Sequence, residues 1–180
     1  MSRGKRPSAR VTTKGEPVII REATVEDAAA LAEYAAELFA EGLPGIFSRS
    51  APSLEEEIAF ISSRIEPENS TLLVAEESGV AVGLLDFVGG TLVEDRHAGV
   101  FGVSVRRGWR GRGIGTALIE ALLAWAPAHG IERVEARAWA SNSRAIALYE
   151  RLGFEREGVL RSAIRRDGAP VDVVVLARLL

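Results

Sequence analysis

The chain contains no cysteine. Disulfides, thiolate metal sites and a cysteine acyl-enzyme are therefore excluded at the outset. Long apolar runs are also missing. Nothing approaches the roughly 18 apolar residues of a membrane-spanning helix, and the basic residues near Met1 are not followed by the apolar core of a secretory signal. There is no Gly-Lys-Ser or Gly-Lys-Thr, which excludes a Walker loop, and no Gly-x-Ser-x-Gly, so Ser104 lacks the elbow of a hydrolase nucleophile. No cluster of His and acidic residues has metal-ligand spacing, so no metal is implied. An excess of positive charge is lacking as well: the net charge of −3 argues against a protein built mainly to hold nucleic acid.

What is present describes one globular domain. Apolar residues make up 47% of 180 and charged residues 26%, enough for a single core. Met1 to Glu16 carries five basic residues before its first acidic one and has no apolar period. It is expected to be a disordered cytoplasmic tail, followed by one domain over 17–180. Val18–Arg21 reads as a strand. Thr24-x-x-Asp27 and Ser53-x-x-Glu56 are capping boxes, the first opening a helix to Gly42 and the second a helix with Leu54, Ile58, Ile61 and Ile65 on one face. Between them, Gly42–Phe47 is an apolar loop broken by Pro and Gly. Thr71–Glu76 and Val80–Val88 form a hairpin around Glu77-Ser78-Gly79, and a polar connection through Glu94, Asp95, Arg96 and His97 leads to a central strand at 100–105. Pro127 should end the next helix early, and His129 beside Gly130 fits its carboxyl end. A strand with Val134, Ala136 and Ala138 closes a right-handed crossover parallel to the central strand. Ser141 is a natural cap for a helix from Asn142 to Leu152, and Asp167-Gly168 turns a final hairpin. The predicted fold class is thus α/β with a mixed α+β sheet. Its order is strand, helix, helix, three strands, helix, strand, helix, two strands.

The rest of the chain is organised around 100–118. A short β run leads through a basic turn into Gly111, Gly113 and Gly115 and then an apolar helix. Backbone N–H groups at a helix start have no intrahelical partner and point outward with the positive end of the dipole, so they suit a phosphate. Arg110 and Arg112 add charge to the turn. Three readings compete: an ordinary connection, a dinucleotide fingerprint with Glu135 at a plausible ribose distance, and a diphosphate loop of another kind. Against the fingerprint, Thr116 stands where its third glycine belongs.

Arg110-Gly111-Arg112-Gly113-Ile114-Gly115 fits Gln/Arg-x-x-Gly-x-Gly/Ala and resembles the pyrophosphate loop of the Gcn5-related N-acetyltransferases (GNAT). Asn142 to Phe154 resembles that family's next motif, Asn-x-x-Ala-x-x-Leu-Tyr followed by Gly-Phe. The resemblance implies acetyl-CoA as cofactor and transfer of its acetyl group to a primary amine on a small molecule or peptide, by direct attack in a ternary complex. It implies that the two parallel strands splay to admit the cofactor. The implied cofactor-binding residues are Val103, Ser104, Val105, Arg110, Gly111, Arg112, Gly113, Ile114, Gly115, Thr116, Asn142, Ala145 and Tyr149. Tyr149 is the implied acid for the departing thiolate; on spacing alone it reads first as a core aromatic with a satisfied hydroxyl. The base is unassigned among Asp86, Glu94, Asp95, His97 and water, with Gly99 where some relatives carry glutamate. Ile46 and Phe47 are candidate acceptor contacts. No nucleic acid or membrane partner is expected, and a homodimer is compatible. The rivals are a coenzyme A-holding sensor or scaffold without turnover and a nicotinamide dinucleotide protein.

Overall fold

The computed structural model describes residues 9–11, 17–46 and 50–180. Eight strands form one sheet: β1 (Ala9–Val11), β2 (Val18–Glu22), β3 (Thr71–Glu77), β4 (Val80–Gly89), β5 (Ala98–Val105), β6 (Arg133–Trp139), β7 (Glu155–Arg166) and β8 (Ala169–Leu179). Their spatial order is β1-β2-β3-β4-β5-β6-β8-β7. Every neighbouring pair is antiparallel except β5 with β6. Helices α1 (Ala28–Ala40) and α2 (Leu54–Ile65) cover one face, and α3 (Ile114–Trp125) and α4 (Ser143–Arg151) cover the other.

The two faces explain the apolar continuity of the central strands. In β3, Leu72 and Val74 pack with Leu31, Tyr34, Leu38 and Ile61 of α1 and α2. Leu73 and Ala75, of opposite parity, pack with Phe87, Phe101, Leu118 and Leu122 in the larger cluster. A strand covered on both sides reads as an unbroken apolar run because successive side chains alternate faces. The hairpin turns form where Gly/Asp chemistry places them: Ser78 and Gly79 adopt φ of 51° and 81°, and Asp167 and Gly168 adopt 50° and 81°. Paired left-handed residues match the twist of the flanking strands. Both capping boxes form, with Glu56 N–H donating to Ser53 Oγ at 3.2 Å and Thr24 N–H donating to Asp27 Oδ2 at 2.8 Å.

The structure corrects three expectations. Part of the supposedly disordered tail is a strand: Ala9–Val11 pairs antiparallel with Val18–Ile20, because β2 would otherwise present an open edge. The rest of that segment lies outside the described residues. On α2, Leu54 and Ile58 are exposed and the inward residues are Glu57 and Ile61. Arg64 of the same helix lies against the sheet, its Nε 3.7 Å from Asp86 of β4. Burial raises the Glu57 carboxyl above its ordinary range. Finally, Asn142 and not Ser141 caps α4, its Oδ1 accepting from Ala145 N–H at 3.2 Å. Pro127 does end α3 at Trp125, leaving a single 3-10 turn that stops at Gly130.

Candidate active site

Strand β5 alternates the direction of its peptide groups. Gly90 N–H donates to Ala98 at 2.9 Å and Arg106 N–H donates to Val82 O at 2.8 Å, so even-numbered residues of β5 face β4. Odd-numbered residues face β6, as His97 O accepting from Arg133 N–H shows. The β5–β6 ladder ends at Phe101/Ala136. Beyond it, the peptide groups of Val103 and Val105 point into a gap where the parallel neighbour has turned away. The same parity on β6, set by Ala140 N–H donating to Asp172 O, directs the peptide groups of Arg137 and Trp139 into the gap from the other side. The expected splay is therefore present. It opens into a cleft of about 720 Å³ lined by Val103, Val105, the glycine turn, Trp139, Asn142 and Tyr149, among others.

At one end of this cleft, Gly113 caps α3 with φ of 85° and no side-chain hydrogen bond. A side chain there would be strained by the backbone and not by crowding, since nothing lies within 4 Å of the position its Cβ would take. Gly113, Ile114, Gly115 and Thr116 all line the cleft. The first-turn N–H groups, left without a side-chain cap, thus meet it together with the positive end of the α3 dipole.

The arginines of the turn behave differently from one another. Arg110 lines the cleft while bonding Glu41 through both terminal nitrogens, at 2.7 and 2.6 Å, and Val105 O through Nε at 2.8 Å. Arg112 turns away: its guanidinium pairs with Glu77, which also accepts from Trp109 Nε1 at 2.6 Å, and its side chain is not part of the lining. Arg106 pairs with Glu37, one helical turn before Glu41. Carboxylates four apart on α1 therefore hold arginines four apart in the turn. The arginines that sequence reasoning missed are Arg137 on β6 and Arg144 and Arg151 on α4. With Arg110, four arginines and no carboxylate line the cleft among the described residues.

Tyr149 is 6% exposed, edge-on to Phe101 at 5.4 Å and tilted against Phe154 at 5.9 Å. It is a core aromatic and a cleft residue at once. Its hydroxyl has no hydrogen-bond partner among the described residues, and burial pushes its pKa up to about 12. Asn142 and Ala145 line the same cleft, with the Asn142 oxygen committed to the α4 cap. Ser104 differs from its expected role. Its peptide groups belong to the β4 ladder opposite Leu84, so only its side chain is offered to the cleft.

None of the base candidates lines the cleft. Glu94, Asp95 and His97 sit exposed in the loop before β5, with Asp95 closing a turn on Leu92 N–H at 2.8 Å. Val103 lies six residues along the strand from His97, roughly 20 Å. Asp86 lies beside Gly102 and is ion-paired with Arg64. Ile46 does line the cleft with Leu43, Pro44 and Gly45; Phe47 lies outside the described residues. The loop is tied down by Arg166 of β7, which donates to Gly42 O at 3.1 Å and Ile46 O at 3.2 Å and stands 5.8 Å from the Trp139 ring. Glu135 accepts from Arg133 and Arg137 at 3.3 and 2.7 Å, so it is not the free ribose ligand of a dinucleotide fold.

A largely antiparallel sheet parted at its parallel pair, with a glycine-capped helix at the parting, defines a class of acyl-group transferases. Comparison with known proteins gives the family: the model for the acetyltransferase (GNAT) family matches residues 31–154, and the chain belongs to it. An L-amino acid N-acetyltransferase of Escherichia coli (strain K12) is 31% identical over 86 residues, which are 46% of this chain and about half, 51%, of that protein. The crystal structure of a ribosomal-protein-alanine N-acetyltransferase from Brucella melitensis is similar with a TM-score of 0.82 and 28% identity, covering 89% of this chain and 99% of that one. A Salmonella typhimurium acetyltransferase structure with acetyl-CoA shares the fold at a TM-score of 0.80 and 23% identity, covering 90% and 93%.

Proposed function

We propose that the protein transfers the acetyl group of acetyl-CoA to a primary amine by direct attack, both substrates being bound at once. The observation that carries this reading is convergence in one cleft: parted peptide groups, an uncapped helix start and an unpartnered tyrosine hydroxyl. The donor set fits the cofactor. The α3 N-terminus and the arginines of the lining, of which Arg110 is already paired with Glu41 and Arg137 with Glu135, suit a diphosphate, and the β5 and β6 peptide groups beyond the ladder suit an amide-bearing arm. Bound there, acetyl-CoA supplies an activated thioester. One of the Val103 and Val105 N–H groups, which lie about 6.6 Å apart along the strand, would donate to its carbonyl oxygen as charge develops on it, leaving the other for the arm. Tyr149 would give its proton to the sulfur as the bond to carbon breaks, and water would take the proton lost by the amine.

The acceptor reading follows from charge. A polyamine site needs carboxylates facing the amine, and this lining has none among the described residues. We read the acceptor as an amine carrying its own anion or peptide group, in line with the amino-acid and alanine acceptors named for the Escherichia coli and Brucella proteins. The test is thiol release from acetyl-CoA across free L-amino acids, an alanyl peptide and spermidine, with thermal shift comparing acetyl-CoA and NADH. Stabilisation by acetyl-CoA alone, with turnover on amino acids or the peptide, is expected. Binding without turnover of any amine, or stabilisation by NADH, overturns it.

A further inference from the structure

The chain has two tyrosines, and the second, Tyr34 of α1, has no part in the chemistry above. Its side chain is among the largest fully buried ones, with 1% exposure. A core position of that kind is filled as well by phenylalanine unless the hydroxyl is used. Here the hydroxyl donates to Ser104 Oγ at 2.9 Å, across 70 positions of sequence. Ser104 lines the cleft, and its peptide groups are taken by β4. A serine hydroxyl has two acceptor sites and one donor. Tyr34 fills one acceptor site, fixes the rotamer and leaves the other lone pair for a ligand.

The position of this hydroxyl decides its use. Phe101, Val103 and Val105 turn their side chains to the α3–α4 cluster, where Tyr149 also packs. Ser104 turns to α1 on the opposite face, with Gly102 before it carrying no side chain. The parted strands therefore have a hydroxyl on each side: Tyr149 toward the leaving sulfur, Ser104 toward the acceptor loop that continues from α1. Glu41 at the end of the same helix holds Arg110, so one helix braces both the turn and the serine.

We propose that Ser104 Oγ receives the acceptor amine and that Tyr34 is the positioning residue that holds it ready. This rests on the transfer reading above. Ser104 accepts a hydrogen bond from one amine N–H and thereby aims the nitrogen lone pair at the thioester carbon. The new bond is C–N and the broken one C–S; the amine's proton goes to solvent water, and the thiolate takes one from Tyr149, which water restores.

The test compares Ser104→Ala, Ser104→Thr and Tyr34→Phe with the parent, using the best amine found in the acceptor panel. Ser104→Ala should lower kcat/KM for the amine by about 10- to 50-fold, the worth of one lost hydrogen bond to the reacting group, with the acetyl-CoA Kd by calorimetry within about twofold. Ser104→Thr should restore most of it. Tyr34→Phe should lose several-fold alone and little more when added to Ser104→Ala, as coupled residues do. If Tyr34→Phe fails to fold, the Ala and Thr variants decide. A Ser104→Ala enzyme that matches the parent toward the amine, or whose loss lies wholly in acetyl-CoA affinity, overturns the proposal and leaves the transferase reading intact. A parent that binds acetyl-CoA but acetylates nothing overturns both.

Discussion

Replacing Tyr149 by phenylalanine separates catalysis from stability. The ring contacts with Phe101 and Phe154 survive, since only the hydroxyl is removed. That hydroxyl has no hydrogen-bond partner among the described residues and is not one of their fully buried unpaired polar atoms, so it is open to the cleft. Its removal should therefore leave stability within about 0.5 kcal/mol, roughly 1–2 °C in Tm for a chain of this size. Only catalysis should move. A phenol at about 12 faces a departing thiolate whose conjugate thiol has an ordinary pKa of about 8.5, so even complete transfer to the freed thiolate is uphill by about 4.8 kcal/mol. The proton is therefore shared as C–S cleavage proceeds, and the contribution belongs at the low end of general acid catalysis, about 100-fold in kcat or 2.7 kcal/mol. Thiol release gives kcat, calorimetry gives the acetyl-CoA Kd, and scanning calorimetry gives Tm. Parental kcat in the variant would refute the acid assignment, and a Tm fall of several degrees would show that the hydroxyl is paired after all.

Both tyrosines carry pKa values raised to about 12 by burial, against about 10 unfolded. The folded state then keeps protons that the unfolded state loses, so the full stability holds below about pH 10 and up to about 2.7 kcal/mol per tyrosine disappears as pH rises to about 12. The 295 nm phenolate absorbance should rise together with loss of far-UV ellipticity; titration near pH 10 with intact ellipticity contradicts it. Asn142→Ala removes the α4 cap and should cost about 1 kcal/mol, with Asn142→Asp restoring Tm. An unchanged Tm in the alanine variant sinks that expectation. Gly113→Ala forces a side chain into φ of 85° and should cost about 1–2 kcal/mol while weakening acetyl-CoA binding, read by calorimetry; undiminished affinity would show that the helix start does not hold the cofactor.

What could be read from the sequence was what is local. Ser53 and Glu56, Asp167 and Gly168, and the glycines of 111–115 each act within a few residues, so their pattern and their structure coincide. The alternation of Val134, Ala136 and Ala138 in β6 was legible for the same reason. What escaped is long-range. The three residues of β1 have no pattern of their own and exist as a strand only because β2 offers an edge. Glu37 and Glu41 repeat at the interval of Arg106 and Arg110, but nothing local says that the two ladders meet across 69 positions. Arg112 looked like its neighbour Arg110 and was captured by Glu77 instead. Tyr34 and Ser104 are invisible as a pair until α1 is laid on β5.

The coincidence of anion site and parted strands follows from topology. Parallel neighbours cannot be joined by a tight turn, so the β5–β6 pair requires a crossover, and α3 is that crossover. Its N-terminus must then lie at the carboxyl end of β5, which is where β6 has left the ladder. Ligands of α/β sheets gather at such carboxyl ends for the same reason. Given one parallel pair that stops pairing after Phe101, a dipole, open peptide groups and a cleft arise together. In the proposed reading the particular residues adapt the place to its ligand: glycine to let a phosphate approach, the arginines of the lining to attract it, and one hydroxyl on each face of the parted sheet.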